Sequence, residues 1–327
     1  MKTKSILSVY LIMIAFCFII STIKAQSSLS DFKVLGQKFD LAGTHLQEPQ
    51  YYLMESTLIT YALDGTRIGN DIFRLYLKCI PNEIAGTKGD QYTCVKFTFQ
   101  RGDSTIVEIP ALKNWSYMFK DLPSGIDAEG QVFGIDHSKF ENLVDSDGKV
   151  IPPDKSYLIY NAFIDFHGFC NVFAERTNGG KGIQDLNTIG QKIVHAAAFS
   201  EPPVNLGSNI KKGSYFKNGK ITLEFKGISL VNNKQCALLE YDSGESSFNM
   251  IMEPMPNMEI HTIGSSHYWG DIYKDLVSNW VQKVILNEIV VAETTLPVPP
   301  NKINSIAERS VIVRNVSEDK FKENVSL

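Results

Sequence analysis

The chain has 327 residues, of which 43% are hydrophobic and 21% are charged, with 23 glycines and 13 prolines. These proportions are typical of a globular protein and exclude disordered, collagen-like and coiled-coil chains. A chain of this length can bury a large core either as one β-rich domain or as two domains.

The first 25 residues follow the order of a secretory signal peptide. Two lysines precede an apolar run from Ile6 to Ile20, and small residues follow up to Ala25. We therefore predict cleavage after Ala25, a mature chain that begins at Gln26, and a secreted or periplasmic location. An uncleaved N-terminal anchor is the alternative, because the apolar segment approaches the length that spans a membrane.

The charge of the mature chain limits its partners. Removal of the leader leaves 29 basic and 36 acidic side chains, a net charge of −7. A negative chain without a basic cluster is a poor partner for nucleic acid or for an anionic membrane surface. We therefore expect no nucleic-acid partner and, once the signal is cleaved, no membrane partner.

Alternation of apolar and polar residues with a period of two is common along the chain, whereas helical periodicity is scarce. Residues 58–62 and 72–80 flank Asp64-Gly65, a dipeptide typical of hairpin turns. The sequence predicts a mainly β protein with few short helices. Its strands are expected to form an antiparallel meander that builds a curved sheet, a sandwich or a barrel.

The pattern divides the chain into parts, which are a signal peptide (1–25), an N-terminal antiparallel β part (26–125), an irregular central segment (126–209), a C-terminal β-meander part (210–316) and a polar tail that frays (317–327). In the C-terminal part, short strands are predicted over 221–227, 235–241, 247–252, 259–263, 269–273, 280–286, 289–295 and 310–316. The run Tyr157 to Phe173 fits either a buried strand or a short helix, and we favour a strand.

Four cysteines follow the leader, which permits two disulfides in an oxidising compartment. Cys79 and Cys94 lie in two alternating segments joined by a loop that contains glycine and proline. We predict a disulfide between them, provided that the strand register brings the two side chains together. Free buried thiols are the alternative.

Aspartate and histidine residues pair in the central segment, where Asp136 precedes His137 and Asp165 lies two residues before His167. Residues two apart on a strand share a face, so Asp165 and His167 are candidates for a metal site or for a carboxylate-oriented general base. His137 and His195 are the candidates that complete a divalent metal site with His167, and Asp136, His137 and His195 are candidate ligand-binding residues. Structural histidines, satisfied by hydrogen bonds, are the alternative, and no other cofactor is predicted.

Other motifs point away from familiar enzyme classes. Gly244-Glu245-Ser246-Ser247 lacks the second glycine of a nucleophile elbow, and Gly264-Ser265-Ser266-His267 lacks the strand-to-helix context of one. Both are expected to be turns. The sequence contains no P-loop, dinucleotide fingerprint or His-Glu-x-x-His helix. The methionines over 250–258 and the aromatic residues over 157–173 either fill the core or line a cavity for apolar ligands.

The leader that ends at Ile23-Lys24-Ala25-Gln26 resembles those of exported bacterial proteins. Lys220 to Thr295, in which Gly264 to Asp275 and Trp280 to Glu293 form successive predicted strands, resembles the sheets of periplasmic lipoprotein-carrier-like proteins. The resemblance implies a curved antiparallel sheet and transfers no functional residue.

Two functions follow as hypotheses from these observations. The first is an exported, non-catalytic binding protein for a small apolar ligand or a protein partner. This hypothesis is favoured because binding requires only a shaped cavity. The second is a secreted hydrolase or metalloenzyme that uses the central Asp and His residues, and it requires those side chains to converge in one cleft.

Overall fold

The computed structural model describes residues 36–122, 125–204 and 210–326. The chain divides into two compact units, residues 1–39 and 40–327, and the second contains all the helices and strands that are described. The predicted signal peptide and its cleavage site lie outside the described residues.

The described part of the chain is mainly β, as predicted. Its strands are β1 (Gln50–Ala62), β2 (Arg67–Ile80), β3 (Gln91–Arg101), β4 (Val107–Glu108), β5 (Trp115–Met118), β6 (Lys192–Val194), β7 (Tyr215–Lys217), β8 (Thr222–Val231), β9 (Lys234–Asp242), β10 (Ser246–Met255), β11 (Met258–Asp275), β12 (Val281–Thr295) and β13 (Lys302–Asn315). Its helices are α1 (Asn82–Ala85), α2 (Pro153–His167) and α3 (Glu318–Ser326).

All the paired strands belong to one antiparallel sheet. The main path runs β4-β3-β2-β1-β13-β12-β11-β9-β8-β6, and β5, β7 and β10 branch from it. The terminal strands β4 and β6 do not pair with each other. Because β1 pairs with β13 from Tyr52↔Asn315 to Ala62↔Ser305, the N-terminal and C-terminal strands share this sheet. The predicted hairpin is confirmed, since β1 pairs with β2 on either side of Asp64-Gly65.

Two predicted strand breaks are absent. The segments 259–263 and 269–273 both belong to β11, and the segments 280–286 and 289–295 belong to β12 apart from Trp280. The expected turn at Gly264-Ser265-Ser266-His267 is wrong, because Gly264 to Ser266 pair with both β10 and β12 and His267 pairs with β12. In the other expected turn, Ser246 and Ser247 instead begin β10. Glycine is required at position 264 of this strand, because a Cβ there would lie 2.4 Å from the carbonyl oxygen of Val291 and 2.6 Å from a ring carbon of Phe248.

One face of the sheet carries the core. Alternate side chains of its strands, such as Tyr52, Leu75 and Val313, are at least 97% buried. Helix α2 packs on this face of the sheet, where the ring of Phe166 lies 5.0 Å from that of Tyr52. The prediction of a strand over 157–173 is therefore wrong, because residues up to His167 are α-helical and Gly168–Val172 continue as a π-helix.

The C-terminal residues 318–326 form helix α3, so the prediction of a fraying tail is wrong for them. Phe321 is 4% exposed, and its ring lies 5.3 Å from that of Tyr51 on β1. This single aromatic contact supplies the apolar burial that a polar nine-residue helix lacks by itself. Among the described helices, none combines the length and the apolar character that crossing a membrane requires.

The predicted disulfide is absent, since Cys79, Cys94, Cys170 and Cys236 are all free and buried. Cys79 lies opposite Tyr92, whereas Cys94 lies opposite Leu77. The two cysteines are therefore diagonal neighbours on one face, and diagonal positions are about 7–8 Å apart, beyond the range of a disulfide. The register that the prediction required is not present.

Candidate ligand cavity

Asp165 and His167 do not share a face, because they lie on a helix. Two residues along an α-helix differ by about 200° around its axis. Asp165 instead accepts a hydrogen bond from Arg309 of β13, which also donates to Glu288 of β12 at 2.5 Å. Burial raises the pKa of Asp165, and the charge of Arg309 acts in the opposite direction. The contacts of Arg309 with Asp165 and Glu288 therefore link α2 to the sheet.

His167 is fully buried, and both of its ring nitrogens have partners. The hydroxyl of Tyr117 lies 2.7 Å from Nε2, and Oδ1 of Asn171 lies 2.8 Å from Nδ1. Burial lowers the pKa of His167 to about 3, so the ring is neutral. These features are those of a structural histidine, which was the alternative interpretation of the sequence.

The hydrogen bonds continue beyond His167 along the next two turns. The amide of Asn171 donates to Glu175 at 2.6 Å and to the hydroxyl of Tyr92 at 3.4 Å. Burial raises the pKa of Glu175 to about 7. Lys274 of β11 donates to the carbonyl of Ala174 at 2.6 Å. No local sequence pattern predicts this buried network, because it joins a strand residue to a partner 100 positions away.

The other predicted residues lie elsewhere. Asp136 caps a 3₁₀ turn over His137–Phe140 by accepting from the backbone N–H of Ser138 at 3.0 Å. His195 is 3% exposed, and its Nδ1 accepts from the N–H of Ala197 at 3.1 Å. Burial lowers the pKa of His195 to about 4.

No hydrogen bond, ion pair or ring contact joins any two of the five predicted Asp and His side chains within residues 36–122, 125–204 and 210–326. The same ranges contain no group of three His, Cys, Asp or Glu side chains placed to hold a metal ion. The geometric premise of the central site, a shared strand face, is therefore absent.

A cavity of about 120 Å³ lies between the 3₁₀ turn, the first turns of α2 and β10. Most of the cavity wall comes from the central segment. Met252 of β10, and Ile210, which pairs with Met252, complete the wall. The lining residues are His137, Phe140, Glu141, Asn142, Val150, Ile151, Pro153, Ser156, Tyr157, Tyr160, Ile210 and Met252.

Local sequence explains how the helix and the turn form this wall. Pro152 and Pro153 start α2, because proline suits the first helical position, where its missing N–H has no intrahelical partner. The turn places Phe140 against the helix, with its ring 5.1 Å from that of Tyr160 and at 88° to it. Both side chains are at least 95% buried.

Two polar atoms in this cavity wall have no protein partner. The hydroxyl of Tyr160 and the Nδ1 atom of His137 are buried and make no hydrogen bond with the described residues. Burial raises the pKa of Tyr160, so its hydroxyl keeps its proton and can donate. An unpaired buried polar group costs about 1–3 kcal/mol, which a bound polar atom would recover.

Part of this cavity wall corresponds to segments that the sequence pattern singles out. Tyr157, Tyr160 and Met252 belong to the aromatic and methionine segments that were interpreted as either core or cavity wall. Residues of these segments have both positions in the structure. Phe163 is fully buried in the core, whereas Met252 lines the cavity. His137 is the one predicted ligand-binding residue that lines it.

Comparisons with known proteins add no functional information. No family model matches the sequence, and no curated protein matches it. A solved structure described as "Asymmetric conductivity of engineered proteins" aligns with 82% of this chain and all of its own length, at 6% identity and a TM-score of 0.21. A similarity this weak carries no argument about fold or function.

Proposed function

We propose that the protein is an exported, non-catalytic binding protein whose cavity holds a small apolar molecule that carries one hydrogen-bonding group. The unpaired hydroxyl of Tyr160, buried in a wall of both apolar and polar side chains, is the observation that carries this proposal. Ligand sites typically combine an apolar lining with a few polar groups that orient the ligand.

The size of the cavity restricts the ligand. An engineered cavity of about 150 Å³, lined by apolar side chains, binds benzene. A volume of about 120 Å³ therefore suits one aromatic ring or a short aliphatic group. A ring with a single hydroxyl matches both the volume and the polar atoms of the wall.

The alternative, a hydrolase or metalloenzyme, has less support. It requires Asp136, His137, Asp165, His167 and His195 to act together, and each of these has different neighbours. A catalytic base also needs access to substrate, whereas His167 is fully buried. Export rests on the leader alone and is tested by N-terminal sequencing of the secreted chain, where a first residue of Gln26 supports it.

Phenol and benzene form a matched pair of probes for the cavity. We expect phenol to bind the wild-type protein about tenfold more tightly than benzene, because one hydrogen bond to a buried partner contributes about 1 kcal/mol or more. Titration calorimetry measures both affinities. Replacement of Tyr160 by Phe should remove the preference while the protein still binds benzene.

The control is Tyr215→Phe, which makes the same change at a side chain that is 41% exposed and outside the cavity. This variant should keep the preference for phenol. A second variant, Ser156→Leu, fills the cavity and should abolish binding of both probes. Failure of the wild-type protein to bind either probe, or an unchanged preference in Tyr160→Phe, would overturn the proposal.

A further inference from the structure

A second cavity, of about 470 Å³, lies where β1 begins and β13 ends. Its lining includes four amide side chains, Gln50, Asn232, Gln282 and Asn315, and we call it the amide groove. Three of these side chains, all except Asn232, belong to residues that are more than nine-tenths buried. Its volume falls within the range of about 300–1,000 Å³ that is typical of small-molecule sites.

The amides are only partly satisfied by one another. Asn315 donates to Oε1 of Gln50 at 2.7 Å, and Asn232 donates to the carbonyl of Asn315 at 3.2 Å. Gln282 donates to the carbonyl of Trp280 at 3.4 Å. Within the described ranges, neither Oε1 of Gln282 nor Oδ1 of Asn232 accepts a hydrogen bond. Two amide oxygens therefore remain for a ligand that can donate.

The charges around the amide groove balance. Lys234 and Lys320 contribute two positive charges, and Glu48 and Glu318 contribute two negative ones. A groove without a net charge offers little to select an anion or a cation. An apolar ligand fits no better, because it would leave the oxygen of the buried Gln282 without a donor.

A peptide strand is also a poor fit. Extended peptides bind by adding to a free strand edge. At the groove, β1 is paired with both β2 and β13, and β12 is paired with both β11 and β13. These strands have no free edge where a peptide main chain could pair.

From these properties we infer that the amide groove binds a neutral saccharide. Sugar hydroxyl groups donate and accept, as the amides do, and they carry no charge. Hydroxyl donors would satisfy the oxygens of Gln282 and Asn232, while Pro49 and Val316 supply apolar surface for the C–H bonds of the ring. This inference is independent of the proposed cavity for apolar ligands, which has different lining residues.

The test uses neutral sugars at millimolar concentration, namely glucose, galactose, mannose, N-acetylglucosamine, maltose, cellobiose and lactose. Saturation-transfer NMR identifies any that bind, and titration calorimetry gives the affinity. We expect at least one sugar to bind the wild-type protein. Gln282→Leu removes a buried amide, and Asn232→Gly removes an exposed one at a position where φ is +50° and glycine keeps the turn.

Each variant should weaken binding of that sugar at least tenfold. Because Gln282→Leu can also disturb the core, Asn232→Gly at the surface turn serves as the variant that folds normally. Asn257→Gly, at another exposed turn position where φ is +65° and outside the amide groove, is the matched control and should bind the sugar as the wild-type protein does. The inference is overturned if no sugar in the panel binds, or if the affinity is unchanged in both amide variants.

Discussion

The Nδ1 atom of His167 lies 2.8 Å from Oδ1 of Asn171, one helical turn further along the chain. Because the amide of Asn171 donates to Glu175, its oxygen must accept, which places the ring proton of His167 on Nδ1. Nε2 then accepts from Tyr117. The chain of hydrogen bonds runs in one direction from β5 to Glu175 and fixes the π-helical segment to the sheet.

Removal of this imidazole should therefore destabilise the protein. His167→Ala leaves a cavity and two unpaired polar partners, so we expect the free energy of unfolding to fall by about 3 kcal/mol or more, as measured by urea denaturation. His261→Ala is the control, because His261 is 45% exposed and should change the free energy by less than about 0.5 kcal/mol. A loss below about 1 kcal/mol in His167→Ala would contradict the structural role.

Stability should also fall with acid because of the buried histidines. The pKa of His195 is lowered to about 4, so below pH 6.5 the unfolded chain binds a proton that the folded chain does not. This contribution to stability is complete above pH 6.5, is lost progressively as the pH falls from 6.5 towards 4, and is gone below 4. His195→Asn preserves an acceptor for the N–H of Ala197 but does not titrate.

Between pH 6.5 and 4.5, this variant should lose about 2 kcal/mol less unfolding free energy than the wild-type protein. Urea denaturation at both pH values measures the difference. His267→Asn, at a side chain that is 48% exposed, should lose as much as the wild-type protein does. Parallel pH profiles for His195→Asn and the wild-type protein would show that His195 is not buried in its neutral form.

Arg309 joins two carboxylates that lie on different elements, Asp165 on α2 and Glu288 on β12. Arg309→Met leaves two partly buried acids without a counter-charge, so we expect a loss of about 3–5 kcal/mol in unfolding free energy. Lys302→Met breaks the pair with Glu293, in which Lys302 is 61% exposed, and should cost less than about 1 kcal/mol. Similar losses in both variants would contradict a special role for Arg309.

The four cysteines after the leader should react as free thiols. Iodoacetamide should leave Cys79, Cys94, Cys170 and Cys236 unlabelled in the folded protein, because all four are buried. After unfolding in urea without a reductant, all four should be labelled, as read by mass spectrometry. If Cys79 and Cys94 react only after a reductant is added, they are bridged and the register given above is wrong.

Sequence patterns predicted the strands better than the central helix, for a physical reason. A strand with one buried face alternates, and Asp64-Gly65 marks its turn, so β1 and β2 could be located. Helix α2 buries one face, on which Ile159, Phe163 and Phe166 recur with helical spacing. Its partly exposed face also carries two apolar side chains, Leu158 and Ile164, which blur the period of 3.6 residues and make the run resemble a buried strand.

The same error affected the candidate site. The spacing of two between Asp165 and His167 predicts a shared face only on a strand, and on a helix that spacing separates the two side chains. The actual partner of Asp165 is Arg309, which lies 144 positions away in the sequence. Such a contact depends on the pairing of β13 with β1 and β12, which no local pattern could reveal.

The last prediction concerns helix α3, because its stability depends on one aromatic side chain. Phe321 is 4% exposed, whereas the other described residues of α3 are polar or partly exposed. Phe321→Ala should lower the unfolding free energy by about 3 kcal/mol. It should also let the C-terminal residues exchange their amide hydrogens much faster, as hydrogen exchange with mass spectrometry measures. Lys322→Ala, at a side chain that is 67% exposed, removes only the pair with Glu318 and should leave the exchange of 318–326 nearly unchanged. Fast exchange of these residues in the wild-type protein would mean that the segment frays, as its polar sequence suggests, and that the contact with Tyr51 does not hold it.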